Sequence, residues 1–84
     1  MTPFEHIILD VLENGPMSGF EIARAIDRAI PGALVGREGL VYPAILALER
    51  RNDVFSSWEP RDQGRRRVYR RNLVVKSEGL DGDA

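Results

Sequence analysis

Apolar positions recur at helical spacing three times in the first half of the chain, and two strand-like runs follow. Phe4, Ile7, Ile8, Val11 and Leu12 form one stripe and predict a helix over about residues 3–14. Thr2, Pro3 and Glu5 read as its N-cap, first residue and reciprocal capping partner. Asn14-Gly15-Pro16 ends it, because Gly15 can adopt the left-handed cap and Pro16 cannot continue a helix. Ser18-Gly19-Phe20-Glu21 is a second capping box and opens a helix over about residues 19–30. Its core face is expected to be Ile22, Ala23, Ile26 and Ile30. Residues 31–38 read as a loop whose Ala33, Leu34 and Val35 fold back on the core.

The third helix, about residues 39–52, carries Val41, Ile45 and Leu48 as its apolar stripe and Pro43 in its first turn. The basic pair Arg50 and Arg51 suits the negative end of its dipole. Val54 to Glu59 then reads as a strand, Pro60 to Gly64 as a turn, and Arg66 to Asn72 as the return strand. Leu73, Val74 and Val75 could lengthen that strand, whereas the acidic, glycine-containing stretch 77–84 reads as disordered. The order predicts an α+β, mostly α, winged helix-turn-helix: three helices plus a two-stranded hairpin wing over residues 1–76, then the tail. Ile7, Val11, Ile22, Ile26, Val41, Ile45, Leu48 and Val54 are the expected core.

Eighty-four residues bound the chain to one small domain of modest stability, to which a second copy would add core. With no cysteine, disulfides and thiolate metal sites are excluded and a reducing compartment is expected. No apolar run approaches the roughly 20 residues that span a bilayer, and the acidic first turn is not a secretory signal, so the expected location is cytoplasmic. The net charge of -1 argues against nucleic acid until its distribution is seen. From Arg50 to Lys76 there are nine basic residues against three acidic ones, and from Met1 to Tyr42 three against six. That asymmetry is an electrostatic footprint, and the acids favour a face turned away from phosphates.

An enzyme is not expected. His6 is the sole histidine and has no visible partner, so neither a general base nor a histidine metal site is supported. Gly36 and Gly39 lack the spacing of a phosphate loop, and Ser18 is explained as a cap. No cofactor is implied. The Arg-rich turn is the stronger candidate. Six arginines lie between Arg61 and Arg71, with no lysine among them, and arginine forks onto phosphate oxygens. Helix three presents Leu40, Pro43, Ala44 and Ala47 outward, with Leu46 on its flank. That set either packs on protein or reads thymine methyls and duplex shape. Tyr42 and Tyr69 read as core residues whose hydroxyls reach the surface. Trp58 either packs under the wing or lines a ligand or partner surface.

Three stretches resemble the PadR-like transcriptional regulators. Leu12 to Ile22, L-E-N-G-P-M-S-G-F-E-I, resembles the signature joining their first two helices. Val41-Tyr42-Pro43-Ala44-Ile45, followed by Leu48-Glu49-Arg50-Arg51, is similar to their recognition helix, and Gly64 to Arg70 to their wing. The matches fall in order over about residues 7–72. Departures are Asn52-Asp53 where the family has a glycine, and Arg71-Asn72 where its wing closes with Leu-Thr. The family's C-terminal dimerisation helix is expected to be missing, so helix one becomes the candidate dimer surface.

The resemblance implies a homodimer that binds double-stranded operator DNA and represses transcription, in some members under a small-molecule effector. It places helix three in the major groove. The candidate DNA contacts are Arg37, Leu40, Tyr42, Pro43, Ala47, Arg50 and Arg51 on helix three and its approach, and Arg61, Arg65, Arg66 and Arg67 on the wing. The alternative is a protein–protein interaction module. Leu40 and Leu46 would then meet the partner, and the arginines an acidic surface.

Overall fold

The computed structural model describes residues 1–73. Three helices and a hairpin follow one another: α1 Pro3–Leu12, α2 Gly19–Ala29, α3 Val41–Arg50, β1 Val54–Pro60 and β2 Arg65–Arg71. The arrangement is a winged helix-turn-helix.

Both capping boxes form as the sequence implies. The Glu5 N–H donates to Thr2 Oγ1 at 3.1 Å, and the Thr2 N–H donates to Glu5 Oε1 at 3.0 Å. Ser18 and Glu21 repeat the exchange at 3.1 and 2.9 Å at the start of α2. Each box satisfies N–H groups that have no partner within the helix. Both helices end slightly earlier than expected, at Leu12 and Ala29, as their last residues unwind into turns.

A single 3-10 turn, Glu38–Leu40, leads into α3, so the regular helix begins at Val41 rather than at Gly39. The end of α3 is a Schellman closure. The Asn52 N–H donates to the Glu49 carbonyl at 3.0 Å and the Asp53 N–H to the Leu48 carbonyl at 2.9 Å. Asn52 supplies the left-handed residue, with φ +65°. It fills a position that favours glycine, since asparagine tolerates that conformation better than most side chains.

The hairpin is antiparallel, with Val54 opposite Arg71, Trp58 opposite Arg67 and Pro60 opposite Arg65. Gly64, at φ +81°, turns the chain at its tip. The β2 strand begins one residue before the expected position. Met17, between α1 and α2, pairs with Tyr69 through two backbone hydrogen bonds of 3.0 and 2.7 Å. The wing is therefore pinned to the start of α2 by a third, one-residue strand. Leu73 lies outside β2. The expected lengthening through Val74 and Val75, and the tail at 77–84, lie outside the described residues.

Of the expected core, Val11, Ile22, Ile26, Val41, Ile45, Leu48 and Val54 are buried. Ile7 only packs against its edge. Ile8, Leu9, Leu12, Leu34, Val68 and Tyr69 are buried as well. Burial of each large aliphatic side chain contributes about 1.5–3 kcal/mol. Two expectations fail. Ile30 is exposed because α2 has ended and its backbone has left helical geometry (φ -134°). Val35 is 76 % exposed, because of the loop only Leu34, which is buried, and Ala33, which packs against the core edge, turn inward.

Candidate nucleic-acid interface

The exposed face of α3 begins in the 3-10 turn and runs to the basic C-terminus. Arg37, Leu40, Tyr42, Pro43 and Arg50 are exposed and Ala47 is half-buried. Ala44, expected to point outward, instead packs against the core beside Ile45. The outward set is thus narrower than the sequence suggested.

Tyr42 sits at the head of this face with its ring about half exposed. Its hydroxyl meets that of Tyr69, whose ring is buried. Burial pushes the Tyr69 hydroxyl up to about 12, and the hydrogen bond to Tyr42 adds to the shift. Tyr69 is therefore a core residue and Tyr42 a surface one held against it, so the common expectation for the two tyrosines fails at Tyr42.

The wing face next to α3 is built around Trp58. The indole is exposed and carries two guanidinium groups, Arg65 at 4.9 Å and Arg67 at 5.3 Å from the ring. Such contacts hold arginines outward at low ordering cost. Trp58 does not pack under the wing. Arg67 also donates to Ser56 Oγ at 2.8 Å and lies 3.6 Å from Glu49, while the Ser56 hydroxyl donates to Glu49 at 2.5 Å. This chain joins the wing to α3 and neutralises the one carboxylate within the face of α3.

The remaining arginines divide by what they touch. Arg51 reaches back to Glu5 at 2.8 Å and lies 3.6 Å from Asp53, so it ties α3 to the start of α1. Arg66 bridges Glu21 on α2 at 2.9 Å and Glu59 on β1 at 3.0 Å. The backbone N–H of Ser18, and then the Arg66 guanidinium, hold the Glu21 carboxyl below its ordinary range. The Thr2 N–H does the same for Glu5, with Arg51 adding to it. Arg71 pairs with Glu13 on α1. Arg37, Arg50, Arg61 and Arg65 are exposed and have no carboxylate within ion-pair distance among the described residues.

On the other side of the wing lies an open groove of about 860 Å³ between α2 and the hairpin tip. Phe20, Glu21, Arg24, Arg28, Arg61 and Arg66 line it. Arg24 and Arg28 were missed as candidates, because the N-terminal half is acidic in sum. The available signal was their spacing of four, off the Ile22–Ile26 stripe.

Residues 8–72 match the transcriptional regulator PadR-like family. The chain belongs to that family. PadR-like proteins are regulators rather than enzymes, and they bind DNA, generally as dimers. This PadR-like chain is also similar in fold to TA0346 from Thermoplasma acidophilum, a protein whose crystal structure is described as that of a candidate transcriptional regulator. The two share 23 % identity at a TM-score of 0.65, over 82 % of this chain and 68 % of that one. No curated protein matches the chain. Among the described residues of this PadR-like protein, no helix is long and apolar enough to cross a membrane.

Proposed function

We propose that this protein is a DNA-binding transcriptional repressor of the cytoplasm that docks α3 in the major groove and lays its wing on the adjacent backbone or minor groove. The observation that carries this reading is the continuity of two surfaces. The uncovered face of α3 abuts a wing face on which Trp58 holds out Arg65 and Arg67. Arg37, Arg50, Arg61 and Arg65 supply phosphate contacts. Leu40, Pro43 and Ala47 offer apolar contact to base edges, and Tyr42 offers a hydroxyl to the backbone. Arg51 and Arg66 serve first as ion-pair struts, and Arg67 serves both roles. The acting unit is a homodimer on double-stranded DNA.

The test is fluorescence anisotropy with a duplex from upstream of the protein's own gene and a scrambled control. A preference of about 10³ or more for the upstream duplex, with a steep salt dependence, supports a sequence-specific regulator. A reporter driven by the bound region should be silenced by the protein.

A second reading rests on Leu40, 55 % exposed at the head of the same face, where an apolar side chain suits a protein partner. If that reading holds, Leu40→Asp abolishes a protein complex while Arg65→Ala leaves it intact.

A further inference from the structure

The groove between α2 and the wing brings Arg24 and Arg28, which the docking of α3 and the wing does not use, opposite Arg61, which it does. Arg24 and Arg28 lie one helical turn apart, about 6 Å along α2. Arg61 faces them from the hairpin tip. None of the three has a carboxylate within ion-pair distance among the described residues. The single acid lining the groove, Glu21, is already engaged by Arg66 and by the Ser18 N–H. The groove therefore carries unneutralised positive charge on two opposing walls.

Two features fix the spacing of those walls. Arg66 bridges Glu21 and Glu59, so the hairpin cannot swing away from α2 without breaking an ion pair. The Met17–Tyr69 pairing anchors the same strand to the residue just before α2. Arg24 is further ordered by the exposed Phe20 ring, whose centroid lies 5.7 Å from the guanidinium. A rigid, open cleft with forked cations on both sides suits an extended polyanion better than a compact apolar ligand.

We propose that the α2–wing groove is a second phosphate-binding surface, in which Arg24, Arg28 and Arg61 hold the DNA backbone beside the segment engaged by α3. This rests on the DNA-binding reading and extends it to the far side of the wing. Contacts of this kind fix orientation and add affinity but carry no sequence information. The groove thus strengthens binding to every duplex alike.

The experiment compares wild type, the double variant Arg24→Ala/Arg28→Ala, and Arg65→Ala, each titrated onto upstream and scrambled duplexes across a range of salt. Thermal melts first establish that each variant is folded; Arg24→Lys/Arg28→Lys provides a charge-preserving control. The groove proposal predicts that the double alanine variant loses roughly tenfold or more in affinity for both duplexes. Its salt slope should fall by about two, near 0.9 for each lost phosphate contact, with the ratio between duplexes unchanged and the lysine variant keeping the wild-type slope. An unchanged slope in the double variant, with a reduced slope in Arg65→Ala, overturns the groove proposal and leaves the wing reading standing. The groove proposal is overturned in the same way if inorganic phosphate shifts the Arg24 and Arg28 resonances while duplex affinity is indifferent to the double substitution. In that case the groove serves a free phosphate. Failure of the wild-type protein to bind any duplex at low salt overturns both readings.

Discussion

Glu5 accepts the Thr2 N–H and the Arg51 guanidinium on the same carboxylate oxygen, so one side chain caps α1 and ties it to α3. Glu21 caps α2 and ties it to the wing through its two oxygens, Oε1 taking the Ser18 N–H and Oε2 the Arg66 guanidinium. Both carboxyls are held below the ordinary glutamate range, first by the backbone N–H and then by the arginine. A depressed folded pKa contributes stability that is present above the unfolded value and lost as pH falls through the folded one. The melting temperature should therefore drop as pH falls from about 5 toward 3, and Glu5→Gln/Glu21→Gln should flatten that drop. A double variant with the same pH dependence as wild type contradicts this account. Asn52 gives a second expectation. Asn52→Ala should cost about 1 kcal/mol in urea denaturation, whereas Asn52→Gly should not destabilise, because only glycine enters the left-handed region without a side-chain penalty. The glutamate caps and Asn52 were legible from spacing of three or from the family pattern. The ion pairs of Arg51 and Arg66 were not, because their partners on α1 and α2 lie more than forty residues away.

The three helices could be read from the chain because each carries an apolar stripe and two carry capping boxes. The edges were less legible. The chain from Arg37 to Leu40 has no side-chain cap and tightens into a 3-10 turn, which hydrophobic periodicity does not register. The Met17 strand was invisible for a different reason: a single paired residue has no alternation to detect. Its contribution is nevertheless testable. Met17→Pro removes the N–H that donates to the Tyr69 carbonyl and should destabilise the fold by about 1–3 kcal/mol, measured as a lower urea midpoint. At the centre of the core, Ile26→Ala should cost about 2–5 kcal/mol, because Ile26 is fully buried among all three helices' contacts and leaves a cavity. A loss below about 1 kcal/mol would mean that α2 relaxes inward and that the core yields around Ile26.

Across the whole molecule, charge is sorted by partner rather than by position in the chain. Arg51, Arg66 and Arg71 each join the C-terminal half to an acid of the N-terminal half, so much of the asymmetry seen along the sequence is consumed in holding the domain together. What remains outward includes Arg50, Arg61 and Arg65, joined by Arg24, Arg28 and Arg37 from the acidic half. Chain order shows neither the subtraction nor the addition, because both depend on which faces α1, α2 and the hairpin turn toward one another. The central claim is that this outward set, together with the face of α3, is where duplex DNA lies. Amide chemical-shift mapping of the protein titrated with duplex DNA tests it most directly. The account predicts that the perturbed residues cluster between 37 and 50, at 61–67 on the wing and around Arg24 and Arg28, with α1 unmoved. Perturbations confined to the outer face of α1, or none at a salt concentration low enough to favour phosphate binding, would contradict it.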